Sequence, residues 1–439
     1  MATPPSDDYA MPTRLIELLL GYQWEELGDD EIQPRRYDGE DWMGTHPGDE
    51  GSDWDMEALR MGQYYQYALC TIAVAGPSDC DQGFLADRLA MKYPIQADKL
   101  EIKGPDGNPR FFHNPLPSWI DLVDDSPLSS RGWCMQERLL SSRAVFFSRH
   151  CVFWECLEAK AAEYTPNWDD FRDEYVRTRV LNAWNVDRRE ELLRSQTVPE
   201  LHTAWYDFVA SYSKKNSTNH ADKLVAIASV ASLFGQRLNT AYRAGIWEDS
   251  LAFSMCWSSK SARSGVVKHD YAAPSWSWAS AEAVAEIEYG SVSGKEFDNW
   301  IANIEVLNIS ITTATGDPKG RVLAAWLQVK GLMAIFYLTE AQPQSAPPQP
   351  ARYSDPFLVA WDDKGVWRLH NKERHPVLRI GTLATQGSNF CTILLILEST
   401  GRTTLGMKQY KRICIVHWFT TEWEGEGRTS PQEETIEMV

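Results

Sequence analysis

With 439 residues, 43% hydrophobic and 24% charged, the chain has the composition of a globular protein and the length for two or three domains, each with its own core. Its formal charge of −18 disfavours nucleic acid and anionic membrane surfaces, because both repel a strongly acidic chain. The 19 Trp, 17 Tyr and 15 Phe suit aromatic anchors in cores and interfaces, with a sugar-binding or base-stacking surface as the alternative.

The opening residues carry no basic region, and their apolar run "LIELLL" is short and holds Glu17, so no secretory signal is expected. No stretch approaches a membrane span, and a cytoplasmic location follows. Eight scattered Cys without a CxxC pair read as reduced, buried thiols. His150, Cys151 and Cys156 are too few and badly spaced for zinc, so no metal and no cofactor is expected.

Residues 1–52 are acidic and rich in Gly and Pro, and read as a disordered segment in which "MPTRLIELL" could start a strand. A helix then opens at Ser52 or Asp53, with Trp54, Ala58, Met61, Tyr65 and Leu69 at helical spacing. "LCTIAVA" reads as a strand covered on both faces. Residues 90–128 are loop-like with some strand character, punctuated by "GPDGNP".

"SSRGWCMQERLL" reads as a short helix capped by Ser129 or Ser130. Trp133, Met135, Leu139 and Leu140 form an apolar arc with Gly132 inside it. Gln136 falls in the middle of that arc and Glu137 at its edge beside Trp133. Trp133, Gln136 and Leu140 are expected to face two strands, "RAVFFS" and "CVFWEC", with Gln136 bonded to their main chain. Glu137 has three readings: paired to an Arg such as Arg131 or Arg143, lining a ligand or partner pocket, or a catalytic group with a raised pKa. It is the one weak catalytic candidate.

From "NWDDFRDEY" to about residue 262 the chain reads as helical, with "PELHTAWYDFVASYSKK" and "HADKLVAIASVASLFGQRL" as amphipathic helices. His220 or Asn219 caps the second. "APSWSWAS" alternates apolar and hydroxyl residues. As a strand it would put Trp276 and Trp278 on one face, for core packing rather than a stacking platform. Ser275, Ser277 and Ser280 lack the glycines of a nucleophile elbow. Beyond 263, "NIEVLNISITTAT", "AAWLQVKGLMAIFYL", "CTILLILEST" and "KRICIVHWF" are strand-like, "EAQPQSAPPQPARYSDP" is a long Pro-rich loop, and 425–439 reads as an acidic tail.

The order of these pieces resembles the heterokaryon-incompatibility (HET) domain proteins of filamentous fungi. The resemblance rests on "DWDMEALRMGQYYQYALCTIAVAG", on "RGWCMQERLLSSRAVFFSRHCVFWEC", on "DKLVAIASVASLF" with "YRAGIWEDSLAFSMCW", and on "YAAPSWSWAS". Carried over by position, its motif residues are Arg131, Gly132, Trp133, Gln136, Glu137, Trp154, Glu155, Cys156, Pro274, Trp276 and Trp278. The family's usual "LSHCWG" and "WIDALCI" segments have no counterpart, so the chain resembles a HET protein lacking the first half of its domain.

The resemblance implies a TIR-like α/β unit. The fold expected is therefore α+β: a partial HET domain over 53–160, a helical region over 161–262, a β-rich region over 263–424 and the tail. It also implies a fungal non-self-recognition protein that triggers regulated cell death through other proteins, self-association among them, inactive if the truncation is real. A dinucleotide-cleaving TIR-like enzyme, or a carbohydrate-active protein, is the alternative.

Overall fold

A computed structural model describes residues 52–78, 83–84, 100–103, 109–112, 118–156, 160–163, 197–217, 219–259, 271–281, 286–289, 300–337, 360–362, 365–366, 374–384, 390–418 and 430–439. The expected disordered segment, apart from Ser52, and the Pro-rich loop lie outside them. The chain forms two compact units. One takes residues up to Trp54 with Tyr65–Ser130 and Ser141–Asp187; the other takes Asp55–Tyr64, Arg131–Leu140 and Arg188–Val439. The structure combines helices and strands, as an α+β fold does.

The first unit is built on a four-stranded sheet. Strand β1 (Thr71–Val74) runs parallel to β4 (Arg143–Phe147), which pairs antiparallel with β5 (Val152–Cys156), which pairs with β6 (Lys160–Ala162). The sequence expectation of two strands around Arg149–His150 is met by β4 and β5. The side chains of Ala73, Phe146, Phe153 and Ala162 share one face, as period-2 alternation dictates. Trp119 packs edge-on against Phe146 and Phe153, with centroids 5.7 Å and 5.2 Å away. Strand β1 departs from its reading: it lies at the sheet edge, and Ile72 is 63% exposed, so its two faces are not both covered. Separately, β2 (Leu100–Lys103) pairs antiparallel with β3 (Pro109–Phe112).

In the second unit, α3 (Val198–Tyr212) opens with Pro199 in its first turn and Thr197 N–H donating to the Glu200 carboxylate at 3.3 Å. Trp205 on α3 is wholly buried. It meets Phe234 of α4 (Ala228–Leu238) edge-on at 5.1 Å and Trp247 at 5.3 Å. The second amphipathic helix is shorter than its pattern suggests. Residues His220–Asp222 and Val225–Ile227 form single 3-10 turns before α4 begins, and Asn219 caps the first through its Oδ1.

A two-residue turn, Ala244–Gly245, joins β7 (Tyr242–Arg243) to β8 (Ile246–Trp247). Its carbonyls hold the Trp-rich segment: Gly245 C=O accepts from Trp205 Nε1 at 3.2 Å and Trp278 Nε1 at 2.8 Å, and Ala244 C=O accepts from Ser277 Oγ. Trp276 and Trp278 are both wholly buried, but in a turn and a 3-10 helix, not a strand. The alternation of "SWSW" reflects hydroxyls bonding backbone while indoles fill the core. A short helix α5 (Leu251–Ser254) and a two-stranded pairing of β9 (Ser258–Ser259) with β10 (Ile287–Glu288) complete this part.

The β-rich remainder is organised by a closed ring. Strand β11 (Trp300–Ala302) continues into β12 (Ile304–Thr313), which turns into the long β13 (Val322–Tyr337). Smaller strands β14 (Ala360–Asp362) and β15 (Gly365–Val366) follow, then β16 (Arg374–Ala384), β17 (Phe390–Thr404), β18 (Met407–Trp418) and β19 (Gln432–Met438). Pairings run β13 to β16, β16 to β17, β17 to β18, β18 to β19 and β19 back to β13, so these five strands form a barrel without a free edge among them. Leu327, Val329, Leu378, Leu394, Ile415 and Ile436 are buried in this region. Residues 432–438 correct the tail reading: this acidic stretch is the closing strand, with Ile436 and Met438 wholly buried.

Candidate functional site

Two helices carry motif residues of the resemblance, and both place their central residues in the second unit. Helix α1 (Ser52–Tyr67) buries Asp55, Ala58 and Gly62; of the expected stripe Ala58 is wholly buried and Met61 and Tyr65 half-buried, but Trp54 and Leu69 are 45% and 70% exposed, so the buried face is shifted toward Asp55 and Gly62. The shift has a steric cause. A Cβ on Gly62 would lie 2.0 Å from Ser229 Oγ and 2.1 Å from Ser229 Cβ, so the bare glycine is what lets α1 approach α4.

Helix α2 (Gly132–Leu140) buries Gly132, Cys134, Gln136, Leu139 and Leu140. It starts without the expected serine cap: Ser129 Oγ donates to Val123 C=O and Ser130 Oγ to Pro127 C=O. Gly132 N–H donates to Asn216 C=O at 2.8 Å, and a Cβ there would come within 3.3 Å of that oxygen, so the glycine of "RGW" does permit close backbone approach. Gln136 is wholly buried and its Oε1 accepts from Ser229 N–H at 3.0 Å. Its partner is main chain, as expected, but at the start of α4 and not on β4 or β5.

Trp133 and Glu137 are half-buried, and Arg131 is exposed. The Cys134 thiol donates to Glu137. Burial first, then that carboxylate, push the thiol up to about 12, so it stays protonated and unreactive at neutral pH. Glu155 of "WEC" is buried with Lys160 3.5 Å away, and the Lys160 ammonium lies 4.8 Å over the Trp119 ring. Trp154 and Cys156 are half-buried on the same strand, and Pro274 is buried in the second unit beside Trp276 and Trp278. The motif residues thus divide between the two units: Trp154, Glu155 and Cys156 in one, the rest in the other.

Two polar clusters in the second unit went unread in the sequence. Asp55, 4% exposed, receives both guanidinium arms of Arg321, Nε at 2.9 Å and Nη2 at 2.7 Å. Asp222 is close enough to feel both: burial raises its pKa, Arg321 lowers it and Asp55 raises it again. In the other cluster, His202 Nε2 lies 3.0 Å from Asp249 Oδ2 and its Nδ1 3.2 Å from Ser250 Oγ, which contacts Ser254 Oγ at 3.2 Å. Tyr206 OH joins at Ser254, 3.1 Å away. The order acid, imidazole, hydroxyl is that of a nucleophilic triad, yet Ser250 and His202 are buried among helices, which suits a polar brace better than an attacking group.

Residues 47–137 match the family model for the heterokaryon incompatibility protein (HET). The chain carries a HET domain. The HET match takes in α1, β1 and the start of α2 and ends at Glu137, so Trp154, Glu155, Cys156, Pro274, Trp276 and Trp278 stand on the resemblance alone. No curated protein and no solved structure matches the chain. No helix among the described residues is long and apolar enough to cross a membrane.

Proposed function

We propose that this HET-domain chain acts in non-self recognition of the heterokaryon-incompatibility type, associating with other proteins to trigger regulated death of a fungal cell. The observation that carries the reading is the HET match over residues 47–137. The fate of the motif side chains supports association over catalysis. Gln136 and Trp278 are committed to internal hydrogen bonds, Trp276 is wholly buried, and Glu137 accepts from a protonated thiol. A TIR-like α/β unit over about 53–160, with the domain's first half missing, belongs to the same proposal.

Inducible expression in a filamentous fungus tests it, with dye uptake by hyphal compartments as the measure of death. Induction should kill, and Glu137→Gln should kill equally without loss of cellular nicotinamide dinucleotide. Normal growth while the folded protein accumulates would overturn the proposal. Dinucleotide loss that Glu137→Gln abolishes would replace it with the enzyme reading.

A further inference from the structure

Strand β12 pairs with β13 on one side and with nothing on the other among the described residues. An open edge offers every second residue's N–H and C=O as a template for another strand. Edges are ordinarily blunted by Pro, Lys or several charges. Between Ile304 and Thr313 the single charge is Glu305, and it faces Lys330 across the β12–β13 ladder. Apolar side chains on this strand stand in solvent: Val306 is 38% exposed and Leu307 46%, and Ile301 on β11 just before it is 56% exposed. Register shifts at Leu307 and between Thr312 and Thr313 bound a regular stretch, Asn308–Thr312.

We propose that this edge pairs antiparallel with the same edge of a second copy, about a two-fold axis at Ser310. The proposal rests on the association reading above and names its partner. The sequence "NISIT" has the same polar–apolar pattern in both directions. An antiparallel copy sets Ile309 against Ile311, Asn308 against Thr312 and Ser310 against Ser310, which is the isologous arrangement a two-fold requires. Charge selects the same solution. Residues 306–316 are uncharged in a chain of net charge −18, a neutral strip where two copies meet without local repulsion. In this register the two Glu305 side chains are about 34 Å apart at about 3.4 Å per residue, far beyond the ~8 Å screening length. A parallel pairing would set them side by side.

Sedimentation velocity of the full chain over a concentration series tests this. The parent should show a monomer–dimer equilibrium. Ser310→Glu and Ser310→Lys each place like charges face to face on the axis and should weaken it about tenfold or more, with unchanged circular dichroism. An equimolar mixture of the two should recover the dimer. Ser310→Cys should form a disulfide-linked dimer on oxidation, whereas Thr403→Cys, exposed on β17, should not. A monomer at all concentrations, or a dimer indifferent to both charges, would overturn the proposal. A chain that stays monomeric and still kills defeats this inference and leaves the functional reading intact. A chain that dimerises through Ser310 and does not kill does the reverse.

Discussion

The Gln136 amide oxygen lies 3.0 Å from the backbone N–H of Ser229, the second residue of α4. The residue before that helix, Ile227, has no side-chain acceptor for the free N–H groups of its first turn. Gln136 supplies the missing cap from another helix. That is why an amide occupies the middle of an apolar arc.

Gln136→Leu should therefore cost about 1–2 kcal/mol, the value of a cap, and less than the full penalty of a stranded pair. The moderation has a reason: Gln136 Nε2 has no hydrogen-bond partner among the described residues, so leucine removes one unsatisfied donor while exposing another. Hydrogen exchange resolved to α4 is the measurement. Exchange at Ser229 should rise roughly tenfold, the equivalent of about 1.4 kcal/mol, while β17 and β18 stay unchanged.

Asp55 and Arg321 are 266 positions apart in sequence and joined by two hydrogen bonds. Asp55 is the buried partner, and the Arg321 side chain is about a third exposed, at 33%. Arg321→Ala would leave a carboxylate buried beside Asp222 without its cation. The expected loss is about 1–3 kcal/mol, below that of a wholly buried pair because solvent reaches the guanidinium. A double-mutant cycle with Asp55→Ala checks it: the double variant should be more stable than the sum of the two single losses implies. Strict additivity would show that the pair is not coupled.

The readable parts and the hidden parts differ for physical reasons. Strands β12, β13, β17 and β18 show in the sequence as long runs of apolar, β-branched and aromatic residues. Strand β16 does not, because Pro376 and Gly381 interrupt its pattern, and Trp300 packs into the space over Gly381 where a side chain would stand. Strand β19 hides behind its acidic residues; Glu437 is buried and accepts from Gln409 Nε2 at 2.7 Å. Asp55 reads as an ordinary acid in the first turn of a helix, and His202 as one polar position of α3. Their partners, Arg321 and Asp249, come from distant sequence, which local periodicity cannot reveal. The burial of the two tryptophans was legible in "SWSW", but their turn conformation was not, since alternation alone does not distinguish a strand from hydroxyl-to-backbone bonding.

His202 makes stability depend on pH. Burial lowers its pKa from the ordinary 6.5, outweighing the raising effect of Asp249. The unfolded chain then binds more protons than the folded one at pH values between the two pKa values, so stability falls as pH drops through about 6.5 and continues to fall down to the folded pKa. Urea unfolding followed by tryptophan fluorescence at about pH 7.5 and about pH 5.5 should show a lower midpoint at the acid value. His202→Gln keeps polar atoms there and cannot titrate, so its midpoint should move less between the two conditions. An equal shift in both proteins would assign the effect to other groups.

The closing strand gives the sharpest contrast between neighbouring positions. Ile436 is wholly buried and lies opposite Val329 on β13, within the ring that β19 completes between β13 and β18. Glu433, three residues earlier on the same strand, meets Lys330 at 2.9 Å in solvent. Ile436→Ala removes three buried carbons at a barrel seam and should cost about 2–5 kcal/mol. Glu433→Ala loses an ion pair that water already screens and should leave the unfolding transition where it is. The pairing of β19 with β18 is short, covering Gln409 with Glu437 and Tyr410 with Met438. Loosening β19 should therefore open the barrel along that side first. Hydrogen exchange after Ile436→Ala should rise at Gln409 and Tyr410 before it rises along the β16–β17 pairing. Uniform acceleration around the whole ring would mean instead that the barrel opens as one cooperative body.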